Sequence, residues 1–263
     1  MTPLSINDIG KRLTIAGRLK ARPLCVYGAE TVPDGAVPAP SISSCVARAI
    51  LRTAVRKRAP AIYLGEDALE DCCGGGVAMF GFRPFDPGIK YFVSYGSKTF
   101  RNGAAEYLRA TPELVEENRK LMGKTTPPGR FVVIQACEDL EDKDPGVLSV
   151  LCFGVAEQIR NMCSLVQFRS HDPFAEVLLP QGASCASFVT YAAGMVERAP
   201  KEAVFVGPCD PTGNSWFPPD HLSLAIPIKI ARRMCEDLDQ SFIIMRSKVA
   251  YPERRTKVQH RES

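Results

Sequence analysis

The 263-residue sequence has no apolar segment long enough to cross a membrane, and it contains only three histidines and one tryptophan. A membrane-spanning helix needs about 20 consecutive apolar residues, so we expect no membrane partner. The N-terminus shows no cationic region followed by an apolar one, which argues against a signal peptide and predicts a cytoplasmic location. The scarcity of histidine leaves few imidazole groups for acid–base chemistry.

The positive charge is concentrated at one end of the chain. The formal net charge is +4, and the last 18 residues carry six basic and two acidic side chains, which accounts for the whole excess. A nucleic-acid-binding face needs basic charge on the folded body. The sequence therefore predicts a basic flexible tail over residues 246–263 and no nucleic-acid partner, and it leaves a homo-oligomer open.

The ten cysteines are the most informative residues in the chain. In a cytosolic protein of this size they are expected to be thiols, metal ligands or catalytic groups, not disulfides. Half of them lie in apolar segments typical of a buried core. These are Cys25, Cys137, Cys152, Cys163 and Cys235. The other half adjoin turns or the starts of helices, where a thiolate would be stabilised. These are Cys45, Cys72, Cys73, Cys185 and Cys209.

Short apolar strands alternate with helical segments, which predicts an α/β fold, with a mixed α+β fold as the alternative. Helices are predicted over residues 5–20, 41–57, 101–109, 112–122, 155–168, 183–196 and 227–238. Strands are predicted over residues 23–28, 60–65, 89–95, 130–136, 147–154, 173–179, 202–206, 222–226 and 242–245. The Pro-Pro-Gly segment at 127–129 predicts a division into an N-terminal lobe (1–126) and a C-terminal lobe (127–245).

The two predicted lobes repeat one order of local features. Each has a strand with a cysteine, a helix opening on Ser-Cys, and a strand that enters a cysteine-containing turn. The two cysteines lie 27 residues apart in one lobe (Cys45 and Cys72) and 24 apart in the other (Cys185 and Cys209). This recurrence predicts two similar strand-helix-strand lobes related by a pseudo-twofold axis, although α/β proteins reuse the unit widely. Facing lobes would bring the four thiols into one cleft.

The same residues resemble the DUF169 family, an uncharacterised group of archaeal and bacterial proteins. The resemblance covers roughly residues 7–240. It is carried by Cys45, Cys72-Cys73-Gly74-Gly75 with Gly81, Cys185, and Pro208-Cys209 followed by Asp220 and Ile226-Pro227. The family turn often continues Gly-Asp-Arg after its last cysteine, whereas Asp210 to Asn214 follow here without an arginine. The resemblance implies no particular reaction.

The first functional hypothesis is an iron–sulfur cluster or a zinc ion held by thiolates, the ligands that these soft metals prefer. The predicted metal ligands are Cys45, Cys72, Cys185 and Cys209. Glycine-rich and polar turns beside them would bind the rest of a metal or small-molecule cofactor. The predicted cofactor-binding residues are Gly74, Gly75, Asp210, Asn214 and Trp216.

Two alternatives need no metal. One is a thiol enzyme with Cys72 or Cys73 as nucleophile and a nearby side chain as base. The candidate bases are His171, His221, Glu66, Asp67, Asp210 and Asp220. The other is a non-catalytic accessory protein that binds a small molecule beside Trp216. A nucleotide site is less favoured, because the glycines at 74–76 are not followed by a Walker lysine.

Overall fold

The structure, a computed structural model, describes residues 4–140 and 144–245. Its strands are β1 Leu24–Ala29, β2 Val37–Pro38, β3 Ile62–Leu64, β4 Phe131–Ala136, β5 Ser149–Val155, β6 Val177–Leu178, β7 Val204–Gly207 and β8 His221–Pro227. They form one mixed sheet in the order β2-β3-β4-β1-β5-β8-β7-β6. The predicted α/β class is confirmed. The predicted basic tail lies outside the described residues.

Eight α-helices accompany the sheet in residues 4–140 and 144–245. They are α1 Ile6–Gly17, α2 Val46–Val55, α3 Gly74–Met79, α4 Ile89–Val93, α5 Pro112–Met122, α6 Ala156–Val166, α7 Ile228–Asp237 and α8 Phe242–Met245. A π-helix spans Ala186–Thr190. Within the described ranges, none of these helices has the length and apolar character that a membrane crossing requires.

Both faces of the sheet are buried, which is why the strands read as nearly continuous apolar runs. Successive side chains of a strand point to opposite faces, so Leu24 and Val26 join one core layer while Cys25 and Tyr27 join the other. The first layer packs α2 and the π-helix against the sheet. The second packs α1, α6 and α7, and it encloses the buried thiols expected there. These are Cys25, Cys137, Cys152 and Cys235, whereas Cys163 is half-buried.

Two helices begin where local chemistry predicts. The amide of Asp8 donates to the Ser5 hydroxyl at 3.1 Å and so caps α1. The amide of Leu114 donates to the Thr111 hydroxyl at 3.4 Å, and Pro112 occupies the first helical position of α5. A proline there loses no helical hydrogen bond and already has the helical φ.

The sequence predictions fail between residues 74 and 109 and at the end of the described chain. Of the helix predicted over residues 183–196, only residues 184–190 are helical. Residues 89–95 were predicted as a strand, but the chain forms α4 there. Residues 101–109 were predicted as a helix, but only Arg101–Gly103 form a 3₁₀ turn, with positive φ at all three positions. Residues 242–245 form α8 instead of a strand. Helix α3 was not predicted, because three glycines are poor helix formers.

Strands from both predicted lobes share the one sheet. β1 and β5 are antiparallel neighbours at its centre, and β4 lies between β3 and β1. The long connection from β3 to β4 contains α3, α4 and α5. It contacts the first core layer through Met79, Phe80 and Met122, and a 2.6 Å ion pair between Lys90 and Glu116 joins α4 to α5. This connection is called the helical insertion below.

Candidate functional site

A cavity of about 410 Å³ is bounded by the helical insertion on one side and by the starts of α2 and the π-helix on the other. Its size is in the range that holds small-molecule ligands. Most of its wall is apolar, from Met79, Phe85, Ile89, Phe92, Val93, Leu108, Val115 and Met122. Its polar lining includes Arg101, Glu106, Arg109, Asp210 and Asn214. A ligand here would meet a mainly apolar surface with a few charged groups.

Three thiols, those of Cys45, Cys73 and Cys185, line this cavity. Cys45 immediately precedes α2 and Cys73 immediately precedes α3. The amide of Cys73 donates to the carbonyl oxygen of Ser44 at 2.8 Å. This backbone hydrogen bond holds the turn before α3 against the start of α2, and so places the Cys73 side chain beside Cys45.

The first three backbone amides of α2 each interact with a different one of these sulfurs and favour its thiolate. The pairs are Val46 with Cys73, Ala47 with Cys185 and Arg48 with Cys45. Such amides have no partner within their own helix and form the positive end of the helix dipole. Neither Cys45 nor Cys73 makes an N-capping side-chain hydrogen bond, so we read this stabilisation as electrostatic.

The three thiols differ in their acidity. Hydrogen bonding from the Cys45 thiol, with help from the amides of Val46 and Gly76, outweighs burial and lowers the pKa of Cys73 to about 6. The pKa of Cys45 is raised, because its proton is held by Cys73 and because the group is partly buried. Burial raises the pKa of Cys185. At neutral pH the cluster therefore holds one thiolate, at Cys73, and two neutral thiols.

Gly76 permits the close approach on which this arrangement depends. A Cβ atom at Gly76 would lie 2.9 Å from the Val46 side chain and 3.0 Å from the Cys73 sulfur. Those distances are shorter than ordinary contacts, so a side chain there would push α3 away from α2. A Cβ at Gly74 or Gly75 would meet no atom of the described residues within 4 Å, so packing among these residues does not require glycine at those two positions.

A polar network holds the turn after β7 against the start of the helix that carries Cys185. The amide of Ser184 donates to Asp210 Oδ2 at 3.0 Å, and the Ser184 hydroxyl donates to the other carboxylate oxygen. The side-chain amide of Asn214 donates to the Asp210 carbonyl oxygen at 2.8 Å. Burial raises the pKa of Asp210, and the bonds from Ser184 and Asn214 oppose that shift.

Glu106 supplies a second carboxyl group to the cavity. Its amide donates to the Phe92 carbonyl oxygen at 2.7 Å, which ties this part of the insertion to the end of α4. Burial raises the pKa of Glu106, as does the nearby charge of Asp210, whereas a hydrogen bond with Thr212 lowers it. Burial thus shifts Glu106 toward its protonated form, which is the form able to donate a proton inside the cavity.

The residues predicted from the sequence are distributed over three places. Five of them line the cavity, namely Cys45, Gly75, Cys185, Asp210 and Asn214. Cys72 and Gly74 line an adjacent cavity of about 290 Å³, and the Cys72 thiol donates to the Ala68 carbonyl oxygen at 3.3 Å. Cys209 and Trp216 line neither cavity. Trp216 packs beside the first core layer, with its ring centroid 6.0 Å from that of Phe217.

Within residues 4–140 and 144–245, no three histidine, cysteine, aspartate or glutamate side chains are arranged to hold a metal ion. Cys73, which the sequence suggested only as a nucleophile, is the cavity-lining member of the Cys72-Cys73 pair. The charged residues Arg101, Glu106 and Arg109 were not predicted as site residues. Their segment was predicted as a helix over residues 101–109, and no local sequence pattern marks it as a cavity wall.

These observations define a mixed α/β protein with a thiol-lined cavity beneath a helical insertion. The DUF169 family model, described as Uncharacterised ArCR, matches residues 12–237, and the chain belongs to this family. This confirms the resemblance noted from the cysteine and glycine motifs. No curated protein and no solved structure matched the chain.

Proposed function

We propose that this protein binds a small organic molecule in the cavity and that the Cys73 thiolate reacts with it as a nucleophile. The observation that carries the proposal is the position of Cys73, in the lining of the cavity with its sulfur against the amide of Val46, the first of α2. The thiolate is the reactive form of cysteine. A pKa of about 6 keeps Cys73 in that form at neutral pH.

In the proposed reaction the Cys73 sulfur forms a bond to an electrophilic carbon of the ligand, and the electron pair displaced there passes to a ligand heteroatom. Glu106 lines the same cavity, and its protonated form, toward which burial shifts it, would donate the proton to that atom. Cys45 holds the thiolate in place by donating its thiol proton to it. Covalent attachment distinguishes this role from that of a non-catalytic accessory protein.

Limited alkylation with iodoacetamide tests the proposal. We expect Cys73 to be the first of the ten cysteines to react, with a rate that rises as the pH increases through about 6 and then levels off. The sign follows from ionisation, because the thiolate forms above the lowered pKa. Mass spectrometry of rapidly quenched digests at several pH values measures this.

The control for this experiment is Cys73→Ser, whose melting temperature should be close to that of the unmodified protein. The fast phase of alkylation should be absent from this variant. Initial labelling at Cys72 or Cys209, whose pKa values burial raises, would contradict the proposal.

A soft-metal site is a second candidate, favoured by the presence of Cys185. Nucleophilic attack by Cys73 needs no third thiol, whereas thiolate-rich sites bind zinc or iron–sulfur clusters. The candidate ligands are Cys45, Cys73 and Cys185, in place of the four predicted from the sequence. Metal binding would require these thiols to move, since the described residues hold no ready-made metal site.

Metal analysis after anaerobic purification decides between the two candidates. If the cavity holds a metal, stoichiometric zinc or iron should be lost in Cys185→Ser and retained in Cys209→Ser. Cys185 lines the cavity, whereas Cys209 does not. Iron–sulfur binding would also give visible absorption. Metal-free protein with a rapidly alkylated Cys73 would exclude this second candidate in favour of the first.

We also propose that the fold arose from two similar halves, as the recurrence of cysteine-containing features in the sequence suggested. The halves are β1–β4 and β5–β8, so the division follows β4 instead of residue 126. The sheet order supports this, since it runs β2-β3-β4-β1 from one edge and β6-β7-β8-β5 from the other. The parallel pairs Val37 with Ile62 and Val177 with Val204 support it further. Cys45 and Cys185 each follow the first residue of such a pair by eight positions. A backbone superposition of the halves that failed to align these two cysteines would contradict the proposal.

All ten cysteines are free thiols, which is what a reducing compartment maintains. We therefore retain the cytoplasm as the proposed location. The predicted absence of nucleic-acid and membrane partners, and the open question of a homo-oligomer, stay predictions.

A further inference from the structure

We propose that the ligand of this cavity is an elongated organic carboxylate whose anionic end binds Arg109. The inference rests on the proposed reaction at Cys73, because the reacting carbon would lie at the Cys73 sulfur and the carboxylate at Arg109.

The shape of the interior indicates an elongated ligand. A second cavity of about 310 Å³ adjoins the first. The two share four lining residues, Arg109, Asn118, Met122 and Gln181. Arg109 thus lies where the two cavities meet, whereas Cys45, Cys73 and Cys185 line only the first of the two. A ligand that contacts both the thiols and Arg109 would therefore extend from the first cavity toward the second.

The guanidinium group of Arg109 is held in place but incompletely paired. One of its terminal nitrogens donates to the side-chain oxygen of Asn118, and the Arg109 amide donates to the Val93 carbonyl oxygen at 3.1 Å. In the part of the chain that the structure describes, the Nε atom is buried and has no hydrogen-bond partner. Arginine stays protonated in proteins, and a buried donor without a hydrogen-bond partner destabilises the folded state. A ligand with an acceptor atom at this position would supply the missing hydrogen bond to Arg109 Nε.

The remaining charges of the two cavities favour an anion at Arg109. Arg119 lines the first cavity and Arg198 the second. Arg101 lies over the Phe92 ring at 4.5 Å and interacts with Glu106, so it is already engaged. The two carboxyl groups in the lining, Glu106 and Asp210, are both shifted toward their protonated forms. A monoanionic carboxylate matches a single guanidinium at the junction, since arginine binds carboxylates through parallel N–H donors.

Affinity labels that carry an iodoacetyl group and a distant charge test this assignment. The probes are N-iodoacetyl-6-aminohexanoic acid, its uncharged N-methylamide and the phosphonate of equal length. Each forms a carbon–sulfur bond to Cys73 and releases iodide. We expect the acid to label Cys73 about 10- to 100-fold faster than the amide, with a saturable rate, because a hydrogen bond to a charged group supplies an affinity difference of this size. Equal rates for acid and amide, or faster labelling by the phosphonate, would overturn the carboxylate assignment.

Substitutions test whether Arg109 is the residue that binds the carboxylate of the probe. Arg109→Gln should abolish the preference for the acid, and Arg109→Lys, which keeps the charge but loses the fork of donors, should reduce it. Arg56→Gln removes an exposed arginine outside both cavities and should leave the preference unchanged. A preference that persists in both Arg109 variants would overturn the role of Arg109. If Arg109→Gln does not fold, the lysine variant and the unmodified protein still decide the matter.

The small reagent iodoacetamide separates this inference from the proposed function. It carries no carboxylate for Arg109 to bind, so it reports on the Cys73 thiolate alone, and its rate should be the same in Arg56→Gln and in the unmodified protein. Slow iodoacetamide labelling of Cys73 would refute the nucleophilic role itself. Fast iodoacetamide labelling without a preference for the acid would refute only the carboxylate.

Discussion

Replacing Cys45 with alanine is expected to raise the pH at which Cys73 becomes reactive from about 6 to about 8 or higher. Hydrogen bonding from Cys45 is the largest cause of the lowered Cys73 pKa. Without that donor, burial opposes ionisation and only the backbone amides still favour it. The thiolate would then form at a pH nearer to that of an ordinary cysteine, which has a pKa of about 8.5.

The expected change in rate depends on pH. At pH 6 about half of Cys73 is ionised in the unmodified protein, but well under 1% would be ionised with a pKa of about 8.5. A more basic thiolate is intrinsically more nucleophilic, which offsets part of this loss. We therefore expect alkylation about tenfold slower at pH 6 and a smaller difference at pH 7. Initial rates of labelling by mass spectrometry measure both values.

Cys209→Ala is the matched control for this experiment. It removes a thiol that the sequence grouped with Cys45 but that does not line the cavity. The pH midpoint for Cys73 should stay near 6 in this variant. An equal shift in both variants, or no shift in Cys45→Ala, would show that Cys45 does not stabilise the thiolate.

Replacing Phe188 with alanine is expected to lower the free energy of unfolding by about 3–5 kcal/mol. Phe188 is fully buried, and its ring packs edge-on against Phe153 with a centroid distance of 5.1 Å. Its ring also packs against that of Phe217, with a centroid distance of 6.0 Å. Phe188 belongs to the π-helix that begins after Cys185. The substitution removes these contacts and leaves a cavity between this helix and the sheet, in the first core layer.

Phe174→Ala provides the same chemical change at a surface position. Phe174 is 87% exposed, so its loss should alter the free energy of unfolding by no more than about 0.5 kcal/mol. Urea unfolding, followed by circular dichroism, measures the difference between the two variants. Similar destabilisation by both substitutions would contradict the position of Phe188 in the core.

The elements that were predicted well are those whose sequence signals are local. Ser5 and Thr111 cap α1 and α5 through hydrogen bonds to residues three positions later. The central strands were recognisable because both of their faces are buried, which requires an apolar residue at nearly every position. In contrast, α4 was mistaken for a strand, because a five-residue apolar segment does not distinguish the two structures.

The candidate site was predicted only in part. Cys45 and Cys185 were singled out because each follows a serine at a helix start, and both line the cavity. The choice between Cys72 and Cys73 could not be made from their neighbours in sequence. It depends on the hydrogen bond from the Cys73 amide to Ser44, which directs one thiol to the cavity, whereas the other bonds to Ala68.

The sequence by itself determined the α/β class, the family, and the abundance of thiols at helix starts, because these follow from residue types and short spacings. Tertiary structure alone decided that the strands form one sheet, that Cys45, Cys73 and Cys185 share one wall, and that Arg109 lies where two cavities meet. It also decided which thiol ionises. The pKa of Cys73 depends on a thiol and backbone amides that lie close in space but come from separate parts of the chain, and no local sequence pattern records such contacts.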